Sequence, residues 1–236
     1  SPHLERILMS RKIRTQSGVA VVAVLTKSYP CPGKCLYCPT EKDMPKSYLS
    51  NEPAVMRAIT AKFNPYRQVQ GRLRSLELNG HQTDKIELIV MGGTFSALPR
   101  HYQKWFIYQC FKAANNYPHP SPFGKGGSGG FEIPSSFTNP SQSPFAKGRG
   151  LLDKKLLAEQ KRNEKTKHRI IGLTLETRPD FINEEEILNF RNLGCTRVEL
   201  GVQSIFNDVL ETNKRGHKIE ATTDATRLLK DAGFKI

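Results

Sequence analysis

Three thiols lie close together in the run Cys-Pro-Gly-Lys-Cys-Leu-Tyr-Cys, at Cys31, Cys35 and Cys38. A structural zinc site ordinarily takes four protein ligands in a tetrahedron, and neither a second cysteine pair nor a histidine stands beside these three. The CxxxCxxC spacing does suit a [4Fe–4S] cluster held by three thiolates with one iron left open, and an open iron can chelate a substrate or cofactor. A zinc ion completed from afar by His81 or Cys110, or chance clustering, is the alternative. Cys110 and Cys195 stand alone in apolar segments and read as small buried hydrophobes.

The elements that must position these thiols follow from hydrophobic patterning. Residues 19–25 (VAVVAVL) form an unbroken β-branched run of strand length, as expected of a strand buried on both faces in a parallel sheet. The cysteine loop therefore leaves the carboxyl end of that strand. A second run at 85–91 (KIELIVM) ends in Gly92-Gly93-Thr94. Further strands are expected at 169–176 (RIIGLTLE) and 197–203 (RVELGVQ), and 233–236 starts a fifth that the sequence does not complete. Helical periods fall between them, opening at Pro53, broken or kinked at Pro65 and resuming to Leu78, then over 99–115, 151–167, 184–193 and 219–231. Strict alternation of strand and helix predicts an α/β fold, a parallel (β/α) sheet or partial barrel truncated at the start of strand five. Such folds collect ligand contacts at the carboxyl ends of their strands.

The balance of 36 Lys and Arg against 22 Asp and Glu gives a net charge of +14, which suits a polyanionic partner. Local basic clusters stand at Arg11, Lys12 and Arg14 and over 161–169. A hydrophobic fraction of 37% against 25% charged residues is globular composition. No run reaches the ~18 apolar residues of a membrane span, and the N-terminus has no apolar signal core, so a soluble, cytoplasmic protein is expected. Between 117 and 150 the texture changes to Pro, Gly, Ser and Phe, and SPFGKG at 121–126 recurs as SPFAKG at 143–148. This segment reads as a disordered insertion. Lying between a helix and the next strand unit, it is expected opposite the active mouth, where its deletion should be tolerated.

CxxxCxxC with Tyr37 before its last cysteine resembles the cluster loop of radical S-adenosylmethionine (SAM) enzymes, and Met91-Gly92-Gly93-Thr94-Phe95 is similar to that family's Gly-Gly segment. The runs GLTLETRPD (172–180), VELGVQS (198–204), NKRGH (213–217), SGVAVVAV (17–24) and NEPAVMRA (51–58) further resemble the catalytic subunit of Elongator and its single-chain bacterial and archaeal counterparts. The likeness runs from about Arg11 to the end, apart from the insertion.

The resemblance implies a tRNA uridine-34 modifying enzyme in two parts. A basic segment (1–17) precedes a radical SAM domain over 18–236, and an acetyltransferase domain that holds acetyl-CoA lies outside these residues. In the chemistry it implies, an electron donor reduces the cluster, SAM is cleaved, and the deoxyadenosyl radical takes hydrogen from the acetyl methyl group. The resulting carbon radical adds to C5 of the wobble uridine, and thioester hydrolysis leaves carboxymethyluridine. Cys31, Cys35 and Cys38 would ligate iron. Gly92, Gly93 and Thr94 would meet the methionine amino group, Glu176 and Gln203 the ribose or methionine, and Arg215 the carboxylate. For Glu176 the plainer alternative is an ion pair with Arg178, and for Arg215 a surface charge. Lys34 and Tyr37 are expected to make only backbone and packing contacts near the adenine. Rival functions are another radical SAM RNA-modifying activity, or a non-catalytic RNA-binding fragment with a structural metal.

Overall fold

The computed structural model describes residues 15–117 and 149–236. Four strands pair in parallel and in chain order: β1 (Ala20–Leu25), β2 (Lys85–Met91), β3 (Arg169–Thr177) and β4 (Arg197–Leu200). Their register sets Leu25 beside Met91, Val90 beside Leu175 and Thr177 beside Leu200, so all four carboxyl ends finish along one edge. Lys235 bridges Arg197 in parallel, where the fifth strand was expected to begin. The sheet is thus an opened (β/α) barrel.

Proline sets the first two helices. It occupies the opening turn of both α1 (Pro53–Thr60) and α2 (Pro65–Leu78), where its missing N–H costs nothing, so Pro65 separates two helices rather than kinking one. Beyond β2 come α3 (Arg100–Asn115) and α4 (Arg149–Asn163). After β3, α5 (Glu184–Leu193) is capped by the Asn183 side chain and stopped by Gly194 at φ 84°. Two further helices are α6 (Asn207–Thr212) and α7 (Ile219–Asp231). The core packs Val22, Val24, Leu88, Val90, Leu173 and Leu175 of the sheet against Leu73, Phe106, Ile107, Phe190 and Leu193 of the helices. Cys110 and Cys195 lie within it as expected, and burial raises both thiols, Cys195 to about 12. No helix among the described residues is long and apolar enough to cross a membrane.

Several boundaries differ from the sequence reading. The fourth strand stops at Leu200 rather than at Gln203. Gly201 N still donates to Thr177 O at 2.9 Å, but Val202 N then turns back to Leu200 O and Ser204 N to Val202 O, both at 2.9 Å. This curl leaves Gln203 in the left-handed region at φ 71°. The basic helix expected over 151–167 ends at Asn163, whose buried amide donates to Asn115 Oδ1 (2.6 Å) and His168 O (3.0 Å) and accepts from Ile170 N (2.7 Å). Those bonds fold the chain straight into β3. Lys161, Arg162, Lys165 and Lys167 form a solvated face here, at the edge of the sheet opposite the cysteine loop.

The cluster Arg11, Lys12 and Arg14 lies outside the described residues, as does the expected insertion over 117–150 except at its two ends. Those ends correct the expectation that both stand opposite the mouth. Lys104 pairs with Asp153 (2.6 Å) near the starts of α3 and α4, and Asn115 Nδ2 donates to Glu159 O (2.9 Å) near their ends, so the two helices run in the same direction. Tyr117 packs edge-on against His168 at the amino edge of β3, whereas α4 begins toward the carboxyl edge. At 1.5 Å of rise per residue the two ends are about 20 Å apart. Joining Tyr117 directly to Leu151 is therefore expected to unfold α4 or the chain, contrary to the tolerance read from sequence. Replacing 118–150 with a Gly/Ser linker of about 10 residues, longer than the ~6 needed to span the gap, should keep the native circular dichroism and melting temperature. Equal behaviour of the two deletions would contradict the parallel helix placement.

Candidate active site

β1 is an edge strand, and its last residue would leave a backbone amide and carbonyl without a neighbour. The buried side-chain amide of Gln68 supplies both partners, accepting from Leu25 N at 2.8 Å and donating to Leu25 O at 2.9 Å. The cysteine loop begins immediately beyond that clamp. At the end of β2, Gly92 and Gly93 take φ values of 131° and 89°, and a Cβ on Gly92 would overlap the Thr26 hydroxyl. The turn that follows is held by buried Gln103, whose Nε2 donates to Phe95 O (3.1 Å) and Leu98 O (2.9 Å).

These loops close around one cavity of about 270 Å3 at the carboxyl edge of the sheet. All nine residues nominated from sequence line it: the three thiols, the Gly92-Gly93-Thr94 run, Glu176, Gln203 and Arg215. Glu176 does not pair with Arg178. Its two carboxylate oxygens lie 2.8 and 2.7 Å from the Tyr48 hydroxyl, which donates to them. Burial raises the Glu176 carboxyl above its ordinary range, and Glu199 adds to the rise, while Tyr48 and the backbone amides of Gly93 and Gly92 oppose it.

Arg178 instead forks onto Asp180, with Nε and Nη2 each 2.8 Å from a carboxylate oxygen, and Nη2 also donates to Arg215 O at 2.8 Å. Arg215 is 6% exposed and so is no surface charge. Its Nε donates to His217 Nε2 (3.0 Å), its Nη1 to Cys35 Sγ (3.4 Å) and its Nη2 to Gly201 O. His217 Nδ1 lies 3.1 Å from Lys218 O; a neutral ring protonated there leaves Nε2 to accept from Arg215, and burial lowers the histidine accordingly. At Cys35 burial pushes the thiol up, but the bonds from Arg215 and Tyr37 and the two arginine charges outweigh it, and the net direction is downward. Tyr37 is in turn pushed up to about 12 by burial and by Cys35, so it touches the cysteine loop rather than merely packing, whereas Lys34 is exposed. Cys38 Sγ lies 2.7 Å from Ser47 Oγ.

Among the described residues, no three His, Cys, Asp or Glu side chains converge as ligands of a single metal ion would. The three thiols face a shared volume instead, an arrangement suited to a cubane in which each thiolate takes its own iron. Among the described residues Arg178 Nη1 is buried without a hydrogen-bond partner beside that volume, and an anionic sulfur cluster would supply its acceptor. The residues present thus fit a cluster. Sequence reasoning missed Tyr48, Asp180, His217 and the place of Arg178. Tyr48 belongs to no spaced motif, and the other three sit within quoted runs whose contacts only the fold brings together.

The profile of the radical SAM superfamily matches residues 143–236. The tRNA uridine(34) acetyltransferase of Methanocaldococcus infernus is 44% identical over 236 residues, covering 98% of this chain and 38% of that protein. Its namesake from Dehalococcoides mccartyi is 39% identical (97% of this chain, 42% of that one), and human Elongator complex protein 3 is 34% identical (100% and 40%). The solved structure of archaeal M. infernus Elp3 with an N-terminal deletion superposes with a TM-score of 0.62 at 39% identity, covering 92% of this chain and 36% of that one. The chain spans about two fifths of the length of the curated relatives it matches.

The raised Glu176 carboxyl has a sign for stability. Its folded pKa lies above the ordinary 4.5, so between the two values the folded form retains a proton that the unfolded chain has lost. Stability contributed by the protonated carboxyl is present below 4.5 and is lost as pH rises through the folded value. Glu176→Gln keeps a neutral polar group there, and its urea midpoint should lack that downward slope. Parallel pH profiles for the two proteins would show that the fold does not raise the Glu176 carboxyl.

Proposed function

We propose that this chain, which matches the radical SAM superfamily over residues 143–236 and is 34–44% identical over nearly its whole length to tRNA uridine(34) acetyltransferases and Elongator complex protein 3, is the radical-generating part of a tRNA wobble-uridine modifying enzyme. The observation that carries this reading is the convergence of the three thiols, the Gly-Gly-Thr run, Glu176, Gln203 and Arg215 on one cavity. A cluster ligated by Cys31, Cys35 and Cys38 would supply the electron that cleaves SAM. Around it, the backbone of Gly92 and Gly93 is open to a methionine amino group because no Cβ stands in the way. Tyr48 fixes the carboxylate of Glu176 toward the same cavity, where it can accept from a ribose hydroxyl or an ammonium. Gln203 reaches the cavity from the curl after β4, and Arg215 presents its charge beside Cys35.

The full reaction in this reading is acetyl-CoA-dependent synthesis of carboxymethyluridine in cytoplasmic tRNA, with an external one-electron donor. Residues 18–236 form the radical SAM unit, and acetyl-CoA is held by an acetyltransferase unit outside them. The positive charge of the chain suits the phosphates of an anticodon arm, whose binding weakens as salt rises.

Anaerobic reconstitution tests the reading. The chain should take up about four irons with the visible absorbance of a cluster, and with dithionite it should convert SAM to 5′-deoxyadenosine and methionine. The triple variant Cys31→Ser, Cys35→Ser, Cys38→Ser should bind no cluster and bring cleavage to background. A wild-type chain that stays colourless, or that binds zinc and leaves SAM intact, would favour a non-catalytic fragment with a structural metal.

A further inference from the structure

Arg178 is 5% exposed, and two of its three guanidinium nitrogens are accounted for by Asp180 and the Arg215 carbonyl. The third, Nη1, is buried and has no partner among the described residues. Its neighbours are chosen for space. A Cβ on Gly33 would overlap Nη1, and one on Gly216 would stand 3.2 Å from Nη2. The same Gly33 Cβ position is 2.4 Å from Nη1 and 3.5 Å from Cys31 Sγ, so Nη1 and the first thiol of the loop face the same small space and are at most about 6 Å apart. Two glycines thus leave room for the guanidinium, and both N–H groups of Nη1 stay without a partner among the described residues.

We propose that Arg178 Nη1 donates a hydrogen bond to a sulfur of the [4Fe–4S] cluster, at Cys31 or an adjacent sulfide, and thereby makes the cluster easier to reduce. The inference rests on the cluster reading above. Reduction adds one electron and no proton, taking the cluster from the 2+ to the 1+ state. A cation at hydrogen-bond distance in a water-poor pocket stabilises the more negative form more strongly, and hydrogen bonds to the sulfurs are among the determinants of cluster potential. The Asp180 carboxylate offsets part of that charge, but it stands on the far side of the guanidinium and is 28% exposed, so solvent screens it more than the buried Nη1 face. Its geometric effect is to fix the plane of the guanidinium. Arg215 already has Cys35 Sγ as an acceptor, so Arg178 is the second arginine of the pair and the one with a guanidinium nitrogen still free for a cluster sulfur.

The test is a potentiometric titration of the reconstituted full chain, with dithionite as electron source and the EPR signal of the reduced cluster as readout. Arg178→Gln should load the wild-type amount of iron and show an approximately tenfold lower ratio of reduced to oxidised cluster at fixed potential, equivalent to about 59 mV for a one-electron couple. Gly33→Ala keeps the charge but displaces Nη1, and should shift the ratio in the same direction. Wild-type ratios in both loaded variants would overturn the proposal. Loss of iron from a variant that remains folded by circular dichroism would also overturn it, since Arg178 would then hold the loop rather than tune the cluster. A wild-type chain that takes up no iron refutes the cluster reading itself.

Discussion

Two guanidinium groups buried beside three thiols are the constraint around which this site is built. A buried cation must be paired or its desolvation is not offset, and removing one partner of such a pair typically costs about 3–5 kcal/mol. Arg178 and Arg215 solve this with different partners: a carboxylate fork for one, a histidine nitrogen, a thiol and a backbone carbonyl for the other. The solutions interlock, because Arg178 also holds the carbonyl of Arg215. Leu36 N donates to Asn213 O at 3.1 Å and ties the cysteine loop into the same knot. Three segments distant in sequence, around residues 31–38, 178–180 and 213–217, therefore stand or fall together.

The parallel sheet makes that meeting possible by ending its strands along one edge, but strand ends leave backbone groups exposed. Buried side-chain amides answer the need at three places: Gln68 beside β1, Gln103 behind the turn after β2, and Asn163 at the entrance to β3. Each joins a helix to a strand or loop by two or more bonds with fixed geometry. Apolar packing alone would locate these helices less exactingly, since dispersion and burial have no direction. The amides convert a greasy interface into a registered one.

How much of this was legible in sequence depends on the range of the interactions. The strands at 85–91 and 169–176 were readable because burial on both faces demands an unbroken apolar run, and CxxxCxxC was readable because its ligands are local. Gln203 reads from sequence as the end of a strand, because the curl after Leu200 is written in the backbone bonds of Val202 to Leu200 and of Ser204 to Val202 and not in residue type. α6 has six residues and too little apolar period to announce itself. Asp180 and His217 are ordinary polar residues until the fold sets them against Arg178 and Arg215. Arg178 itself was considered only as a partner for Glu176. Strand alternation puts residues 176 and 178 on one face, but a proline-started turn right after the strand offered Arg178 a nearer carboxylate.

The curl after Leu200 also limits how much unpaired backbone follows β4. A sheet edge with unpaired N–H and C=O groups is a template for adding a foreign strand, the usual route to edge-to-edge association. Among the described residues the outer side of β4 is one such edge, bridged at Arg197 by Lys235. Just beyond, Val202 N occupies the carbonyl of Leu200 and Ser204 N that of Val202, so the chain consumes its own hydrogen-bonding capacity. The sticky length is cut to a few residues, and charged Arg197 and Glu199 stand within it. The curl thereby leaves little unpaired backbone between Leu200 and Ser204.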